Sequence, residues 1–218
     1  MLNIGVLVSG SGSNLQSIID QIENGYLPAQ IKIVLCNNTD AYALERTKKH
    51  GIPSAVIRSQ DYLDREGFDR RMIEILKEHD VELVVLAGFM RILTPLFLKA
   101  FPMRVMNIHP ALLPAFPGLH GQKKAFEYGV KFSGCTVHFV DEGMDSGPII
   151  IQAVVPVYDS DTNELLAERI LREEHRIYPR AIQLYLEGKL EIVGRRVIIK
   201  DNTAIELATQ HNPPLTFD

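Results

Sequence analysis

Short apolar runs alternate, along the first half of the chain, with longer segments in which apolar residues recur every three or four positions. The first run covers residues 2–8, and a turn of Gly, Ser and Asn leads into a helical pattern that begins at Leu15. Further strands are predicted at residues 31–35, 54–57 and 81–87, and further helices near residues 41–49 and 64–79. Strands and helices that alternate at these lengths predict an α/β fold with a doubly wound, mostly parallel sheet.

The middle of the chain continues this pattern and then departs from it. Thr94 is predicted to cap a short helix that begins at Pro95, and Val105-Met106 is predicted to end a buried strand. After a helix near residues 122–129, the segments 133–140 and 149–157 are predicted to pair as neighbouring strands.

A long helix and a hairpin are predicted to complete the chain. Asp161 and Glu164 have the spacing of a capping box, and the helix that follows runs to about residue 187, with Pro179 as a kink or break. Residues 190–193 and 197–199 suggest a β-hairpin. No repeat or linker interrupts the pattern, so we expect one domain over residues 1–190, followed by a C-terminal hairpin and tail over residues 191–218.

Composition narrows the class of protein. Among 218 residues, 46% are hydrophobic and 23% are charged, which is typical of a globular protein, and a net charge of −4 disfavours a nucleic-acid partner. Cys36 and Cys135 lack metal-site spacing and are predicted to be buried, reduced thiols, and no Cys/His cluster predicts a metal. Because neither a signal sequence nor an apolar run of membrane length is present, we expect a cytoplasmic protein without a membrane span.

The turn Ser9-Gly-Ser-Gly-Ser-Asn14 is a candidate anion site. A glycine-rich turn between a strand and a helix directs backbone N–H groups at the helix amino terminus, where the helix dipole also favours an anion. A dinucleotide fingerprint would need glycine at position 15, which is Leu15, and the Gly-Lys-Ser/Thr of a nucleotide P-loop is missing. The turn therefore predicts a site for a single phosphate, with a plain tight turn as the alternative.

The segment Asn107-Ile-His-Pro-Ala-Leu-Leu-Pro114 is the candidate reaction centre. In an extended strand Asn107 and His109 lie on one face, and two prolines then lead the backbone out of the sheet. An amide that donates without titrating, beside an imidazole that donates or carries a proton, suits a carbonyl oxygen that becomes negative. A polar turn at a strand end is the simpler alternative. In a doubly wound sheet this segment, the glycine-rich turn and residues 88–93 would meet at the carboxyl ends of the strands.

Five motifs in order resemble the phosphoribosylglycinamide formyltransferase family of purine biosynthesis. The resemblance covers about residues 2–190 and rests on segments 9–16 (SGSGSNLQ), 86–93 (LAGFMRIL), 107–114 (NIHPALLP), 116–120 (FPGLH) and 137–148 (VHFVDEGMDSGP). It implies a Rossmann-like fold and transfer of a formyl group from 10-formyltetrahydrofolate, as cosubstrate, to the amine of glycinamide ribonucleotide. Small-molecule substrates and either a monomer or a homodimer are the expected partners.

The resemblance also assigns roles by position. The residues that match the catalytic trio are Asn107, His109 and Asp145. Those that match the glycinamide ribonucleotide site are Gly12, Ser13, Asn14 and Glu174. Those that match the folate site are Arg65, Met90, Arg91, Ile92, Leu93, Asn107, Val140, Asp141, Glu142, Gly143, Met144 and Asp145. Leu171 departs from the family, whose bacterial members carry Gln there, so only Glu174 of this helix is expected to contact the glycinamide.

Several roles stay open at this point. Asp141 and Asp145 are both candidate partners for His109, and the resemblance alone favours Asp145, which would favour the protonated imidazole by its charge. His138 follows strand alternation as a packed residue or a support to the site, and His120 faces either substrate or solvent. The proton could pass through His109 or through a water held by Asp145. Arg65 on its own is a solvated helix charge.

Three other functions share parts of this pattern. Methionyl-tRNA formyltransferase should add a basic C-terminal domain, and formyltetrahydrofolate hydrolase an N-terminal regulatory domain, and neither is apparent in the sequence. A catalytically silent phosphate-ligand sensor could use the same fold, because fold does not determine function. The three polar residues of the candidate trio favour the formyltransferase.

Overall fold

Strands and helices alternate through the part of the chain that the computed structural model describes, which is residues 1–200, 210 and 212. The strands are β1 (Leu2–Val8), β2 (Ala29–Cys36), β3 (Ser54–Val56), β4 (Leu83–Leu86), β5 (Val105–His109), β6 (Phe132–Phe139), β7 (Ile149–Pro156), β8 (Leu190–Val193) and β9 (Arg196–Ile199). The helices are α1 (Ser13–Glu23), α2 (Tyr42–Lys49), α3 (Arg65–Glu78), α4 (Pro95–Ala100), α5 (Gly121–Tyr128) and α6 (Asn163–Leu186), with a 3-10 turn at Ser59–Asp61.

All nine of these strands form one sheet in the order β3-β2-β1-β4-β5-β6-β7-β9-β8. Strands β1 to β5 pair in parallel, β6 and β7 pair antiparallel, and β9 returns parallel to β7. The predicted α/β class with a mostly parallel sheet is therefore confirmed. Since the carboxyl ends of β1, β4 and β5 lie at one edge, the three candidate segments that follow them are brought together there.

The sheet separates two apolar layers. One layer packs α1 and α6 on the sheet and includes Leu15 and Ile170, and the other packs α3 and α4 and includes Phe68 and Phe97. All four residues of β4 are buried, as the apolar run predicted. Both cysteines are free and buried. None of the helices in the described ranges is long and apolar enough to cross a membrane.

The side-chain hydrogen bonds predicted for two helix caps are wrong. Thr94 occupies the N-cap of α4 without a side-chain cap bond, and its backbone N–H instead donates to the buried carboxylate of Asp69 at 2.7 Å. At α6 the cap is Thr162, whose hydroxyl accepts from the N–H of Leu165. Asp161 does not cap the helix because its two carboxylate oxygens bind the guanidinium of Arg169, each at 2.7 Å.

The predicted long helix and C-terminal hairpin are both present. Pro179 lies inside α6, which is assigned as one helix on both sides of it, so the proline does not break the helix. The predicted hairpin is present as β8 and β9, and β9 joins the main sheet beside β7. The division at residue 190 stays a prediction, and apart from residues 210 and 212 the predicted tail from residue 201 onward lies outside the described residues.

A buried hydroxyl ties α6 to the edge of the sheet where the candidate site lies. Tyr178 is fully buried, and its hydroxyl directs its hydrogen at the carbonyl oxygens of Leu86, at 2.9 Å, and Met106, at 3.0 Å. These carbonyls belong to the last residue of β4 and to the residue before Asn107 in β5. The hydroxyl therefore bridges two adjacent strands just below the candidate reaction centre.

Replacing this hydroxyl should weaken the fold. In Tyr178→Phe two buried carbonyls lose their shared donor, and we expect the free energy of unfolding to fall by about 1–2 kcal/mol, as for other buried hydrogen bonds. Urea unfolding of Tyr178→Phe beside Tyr26→Phe, whose ring is 72% exposed, measures the difference. Equal unfolding midpoints for the two variants would show that the bridge contributes no stability.

Candidate active site

The glycine-rich turn after β1 is shaped by close packing against α2. Gly12 is the N-cap of α1 with a φ of 68°, and a Cβ there would lie 2.7 Å from the Cβ of Ala43. The N–H of Ala43 donates to the carbonyl of Gly10 at 3.1 Å, and Arg46 Nε donates to the carbonyl of Ser11 at 2.9 Å. With no acidic residue in its first turn, the amino end of α1 is suited to an anion. This supports the phosphate interpretation of the turn.

Helix α6 places a carboxyl group beside this turn. Asn14 Nδ2 donates to Glu174 Oε2 at 2.7 Å, and Glu174 is only 6% exposed. Burial raises the pKa of Glu174 to about 7, against the smaller, lowering effect of the Asn14 hydrogen bond. Two of the predicted substrate residues are therefore in direct contact. Leu171, one turn earlier on α6, has an apolar side chain and adds no hydrogen bond here.

The predicted trio also converges. His109 Nδ1 lies 3.4 Å from Asp145 Oδ2, and Asn107 Nδ2 lies 3.5 Å from Asp145 Oδ1. His109 Nε2 lies 2.9 Å from the carbonyl oxygen of Phe116, and because a carbonyl only accepts, Nε2 carries a hydrogen. The N–H of Gly118 donates to Asp145 Oδ2 at 2.7 Å. One carboxylate thus contacts an amide, an imidazole and the loop after β5.

The alternative carboxylate, Asp141, has a different role. Its Oδ1 accepts from the hydroxyl of Ser146 at 2.6 Å and from the N–H of Gly143 at 3.1 Å, so it closes the loop on itself. Asp145 has a φ of 49°, in the left-handed region that is uncommon outside glycine. A Cβ on Gly147 would overlap the carbonyl oxygen of Phe139, which requires glycine where the loop rejoins the sheet. The geometry favours Asp145 as the partner of His109.

His138 supports the site from behind. It lies opposite Asn107 in the antiparallel pairing of β5 with β6, and it is 2% exposed. Its Nδ1 donates to the carbonyl of Phe139 at 2.8 Å, and burial lowers the pKa of His138, so Nε2 is free to accept from Asn107 Nδ2 at 3.2 Å. This contact orients the Asn107 amide. Sequence alternation left two interpretations of His138 open, and its contact with the Asn107 amide favours the one in which it supports the site. His120, at the N-cap of α5, is exposed.

The predicted folate residues form the outer part of the same edge. Arg65, at the start of α3, donates to the carbonyl of Ile92 at 2.7 Å, and the guanidinium of Arg91 lies over the ring of Phe68. The N–H of Met90 donates to Ser9 Oγ at 2.9 Å, which joins this segment to the glycine-rich turn. Three large apolar side chains are more than half exposed here: Met90 at 64%, Ile92 at 53% and Met144 at 54%. Leu93 is buried, and Glu142 and Gly143 are exposed.

Together these groups can stabilise an oxyanion between the glycine-rich turn and an exposed apolar edge. Asn107 and His109 supply donors, and Asp145 supplies the compensating negative charge. Among the described residues, no group of three or more His, Cys, Asp and Glu side chains could hold a metal ion.

The buried carboxyl of Glu174 should make stability depend on pH. Its pKa is about 7 in the folded protein and 4.5 without burial, so between these values the folded state keeps a proton that the unfolded chain has lost. The free energy of unfolding should therefore fall as pH rises through this window. Glu174→Gln removes the effect, and at pH 8 we expect the variant to be more stable than the parent by about 3 kcal/mol.

Urea unfolding at pH 5 and pH 8 measures this difference. Glu168→Gln, an exposed position on the same helix, is the control and should follow the parent at both values. Parallel behaviour of Glu174→Gln and the parent would contradict burial of an ionisable group at this position.

Known proteins similar to this chain include two that it matches over most of their length. A phosphoribosylglycinamide formyltransferase of Escherichia coli is 41% identical over 88% of this chain and 90% of that protein. The crystal structure of glycinamide ribonucleotide transformylase 1 from Symbiobacterium toebii has a TM-score of 0.91 and 53% identity, covering 92% of this chain and 95% of that one.

Other relatives are much longer. A trifunctional purine biosynthetic protein adenosine-3 of Chironomus tentans is 48% identical over 87% of this chain, which spans only 14% of that protein. A family model described as formyl transferase matches residues 2–182, nearly the whole sheet and the candidate site. The chain therefore belongs to the formyl transferase family.

Proposed function

We propose that this chain transfers the formyl group of 10-formyltetrahydrofolate to the amine of glycinamide ribonucleotide, giving formylglycinamide ribonucleotide and tetrahydrofolate in purine biosynthesis. The observation that carries the proposal is the convergence of Asn107, His109 and Asp145 at the same sheet edge as the glycine-rich turn. Two relatives named for this activity match the chain over most of its length and support this choice of acceptor.

The two substrates have separate places in this proposal. The phosphate of the nucleotide binds the backbone of Gly12, Ser13 and Asn14, and Glu174 receives the glycinamide end. The folate lies along Met90–Leu93 and the loop Val140–Asp145, where exposed apolar side chains can cover the pterin, and Arg65 supplies a positive charge. The reacting groups then meet above β5.

The reaction needs no protein nucleophile. The amine attacks the formyl carbon, a C–N bond forms, and the carbonyl oxygen becomes negative. Asn107 Nδ2 and the imidazole of His109 donate to that oxygen, an effect worth about 3 kcal/mol per donor in comparable sites. The bond from the formyl carbon to the folate nitrogen then breaks, as the attacking nitrogen loses a proton and the folate nitrogen gains one.

The structure adds one requirement to this scheme. His109 Nε2 donates to the carbonyl oxygen of Phe116. For this nitrogen to serve the substrate, the oxyanion must take over the hydrogen that Phe116 now accepts. Phe116 lies in the loop between β5 and α5, and we expect this loop to shift when the oxyanion takes its place at His109 Nε2.

The folate is a cosubstrate and no metal takes part. We place the enzyme in the cytoplasm, with small molecules as its partners, and either a monomer or a homodimer accommodates this site. The proposal applies to the formyl-transfer unit, since the chain corresponds to a small part of the trifunctional relatives.

A formyl-transfer assay with and without glycinamide ribonucleotide tests the function. The purified chain should form tetrahydrofolate only when the nucleotide is present. His109→Ala should retain binding of both substrates and lose at least about 100-fold in turnover, because it removes a donor to the developing charge. His79→Ala, at the C-cap of α3, is the matched control and should retain full turnover.

Two outcomes would contradict the proposed reaction, and a third would contradict the role of His109. Release of formate without any acceptor would favour a hydrolase. Binding of both substrates without product in a long incubation would favour a sensor. Near-normal turnover of His109→Ala would remove this imidazole from the mechanism while leaving the overall reaction in place.

A further inference from the structure

The C-terminal hairpin lies at one edge of the sheet and joins it through β9. Its strands pair from Leu190 opposite Ile199 to Val193 opposite Arg196, and β9 pairs with β7 through Arg196 and Ile149. Leu190, Ile192 and Val197 are partly buried against the main apolar layer. The turn of the hairpin, Gly194-Arg195, is therefore held by backbone pairing and by side-chain packing.

This turn reaches the loop that carries Asp145. The guanidinium of Arg195 donates through Nη2 to the carbonyl oxygen of Ser146 at 2.6 Å, across 49 residues of sequence. Ser146 directly follows Asp145, so the contact fixes the peptide group one residue beyond the carboxylate. A hydrogen bond from a charged donor at this distance is stronger than a neutral one.

The loop needs such support for two reasons. Asp145 adopts a left-handed backbone conformation, which costs about 1 kcal/mol for a residue other than glycine and persists only when its surroundings impose it. The loop also carries Asp141, Glu142 and Asp145, and within residues 1–200 neither Asp141 nor Glu142 has an ion-pair partner. A cation beside this segment reduces the mutual repulsion of the three carboxylates.

Other contacts hold the loop at different points. Asp141 closes it internally through Ser146 and Gly143, and the N–H of Gly118 holds the Asp145 carboxylate itself. Arg195 supplies the contact from outside on the C-terminal side of Asp145. Without it, the carbonyl of Ser146 would lose its charged partner, and the backbone beside Asp145 would be less restrained, so the carboxylate would be less well aligned with Asn107 and His109.

We propose that Arg195 is a positioning residue for formyl transfer, which holds the Asp145 loop in its reactive geometry and makes the hairpin β8–β9 part of the active-site support. This inference rests on the proposed function for its kinetic consequences. Its structural basis is the contact between Arg195 and Ser146.

The chain offers a closely matched control in Arg196. It is the next residue, it is also exposed, and its pairing with β7 uses the backbone. Arg195→Ala and Arg196→Ala therefore remove the same charge from the same hairpin, and only the first removes the contact with Ser146. Arg195→Lys keeps the positive charge and offers an ammonium donor on a flexible stem in place of the planar guanidinium.

Steady-state formyl transfer and hydrogen exchange of the loop amides test the inference. Arg195→Ala should lower kcat by about five- to tenfold, as for loss of one charge-assisted hydrogen bond. It should raise the KM for the folate and leave the KM for glycinamide ribonucleotide unchanged, because the glycine-rich turn is not touched. Arg195→Lys should recover part of the loss, and Arg196→Ala should match the parent.

Hydrogen exchange separates a failure of this inference from a failure of the proposed function. In the ligand-free protein, the amides of residues 141–147 should exchange faster in Arg195→Ala than in Arg196→Ala, whatever reaction the chain performs. Equal exchange and equal kinetics in the two variants would overturn the inference. A parent without formyl-transfer activity, combined with faster exchange in Arg195→Ala, would refute the proposed function and leave the positioning contact established.

Discussion

A single carboxylate, that of Asp145, connects the elements on which this site depends. It lies within 3.5 Å of both the Asn107 amide and the His109 imidazole, and it accepts a hydrogen bond from the N–H of Gly118. An acceptor of this charge, only partly exposed, strengthens each of these contacts because screening by water is reduced. The Asp145 carboxylate joins the loop after β6 to the loop after β5, and this contact brings the proposed reacting groups together.

The pairing of strands in the sheet determines where this carboxylate lies. Parallel strands bring the glycine-rich turn, residues 88–93 and Asn107 to one edge, whereas the antiparallel pairing of β5 with β6 puts His138 beside Asn107 and returns the chain for the Asp145 loop. Tyr178 then bridges the ends of β4 and β5 from below. The parallel strands therefore place the candidate segments at one edge of the sheet, and the antiparallel strand β6 places His138 beside Asn107.

Apolar periodicity was sufficient to predict the strands, the helices and their approximate bounds, because a buried face requires apolar residues at the spacing of a strand or a helix. It could not predict long-range polar contacts. Asp161 has the spacing of a helix cap, yet the guanidinium of Arg169 offers it two charged hydrogen bonds. Asp145 rather than Asp141 faces His109 because Asp141 is bonded within its own loop. His138 contacts Asn107 because of the strand register. Arg195 belongs to no recognisable sequence motif.

In the proposed mechanism His109 and Asp145 act as one unit, and a double-mutant cycle on formyl transfer measures their coupling. With Asp145→Asn and His109→Ala made singly and together, we expect the double variant to be hardly slower than the slower single variant, because each change alone already disables the unit. Fully additive losses in the logarithm of kcat would contradict it, since the two side chains would then contribute independently.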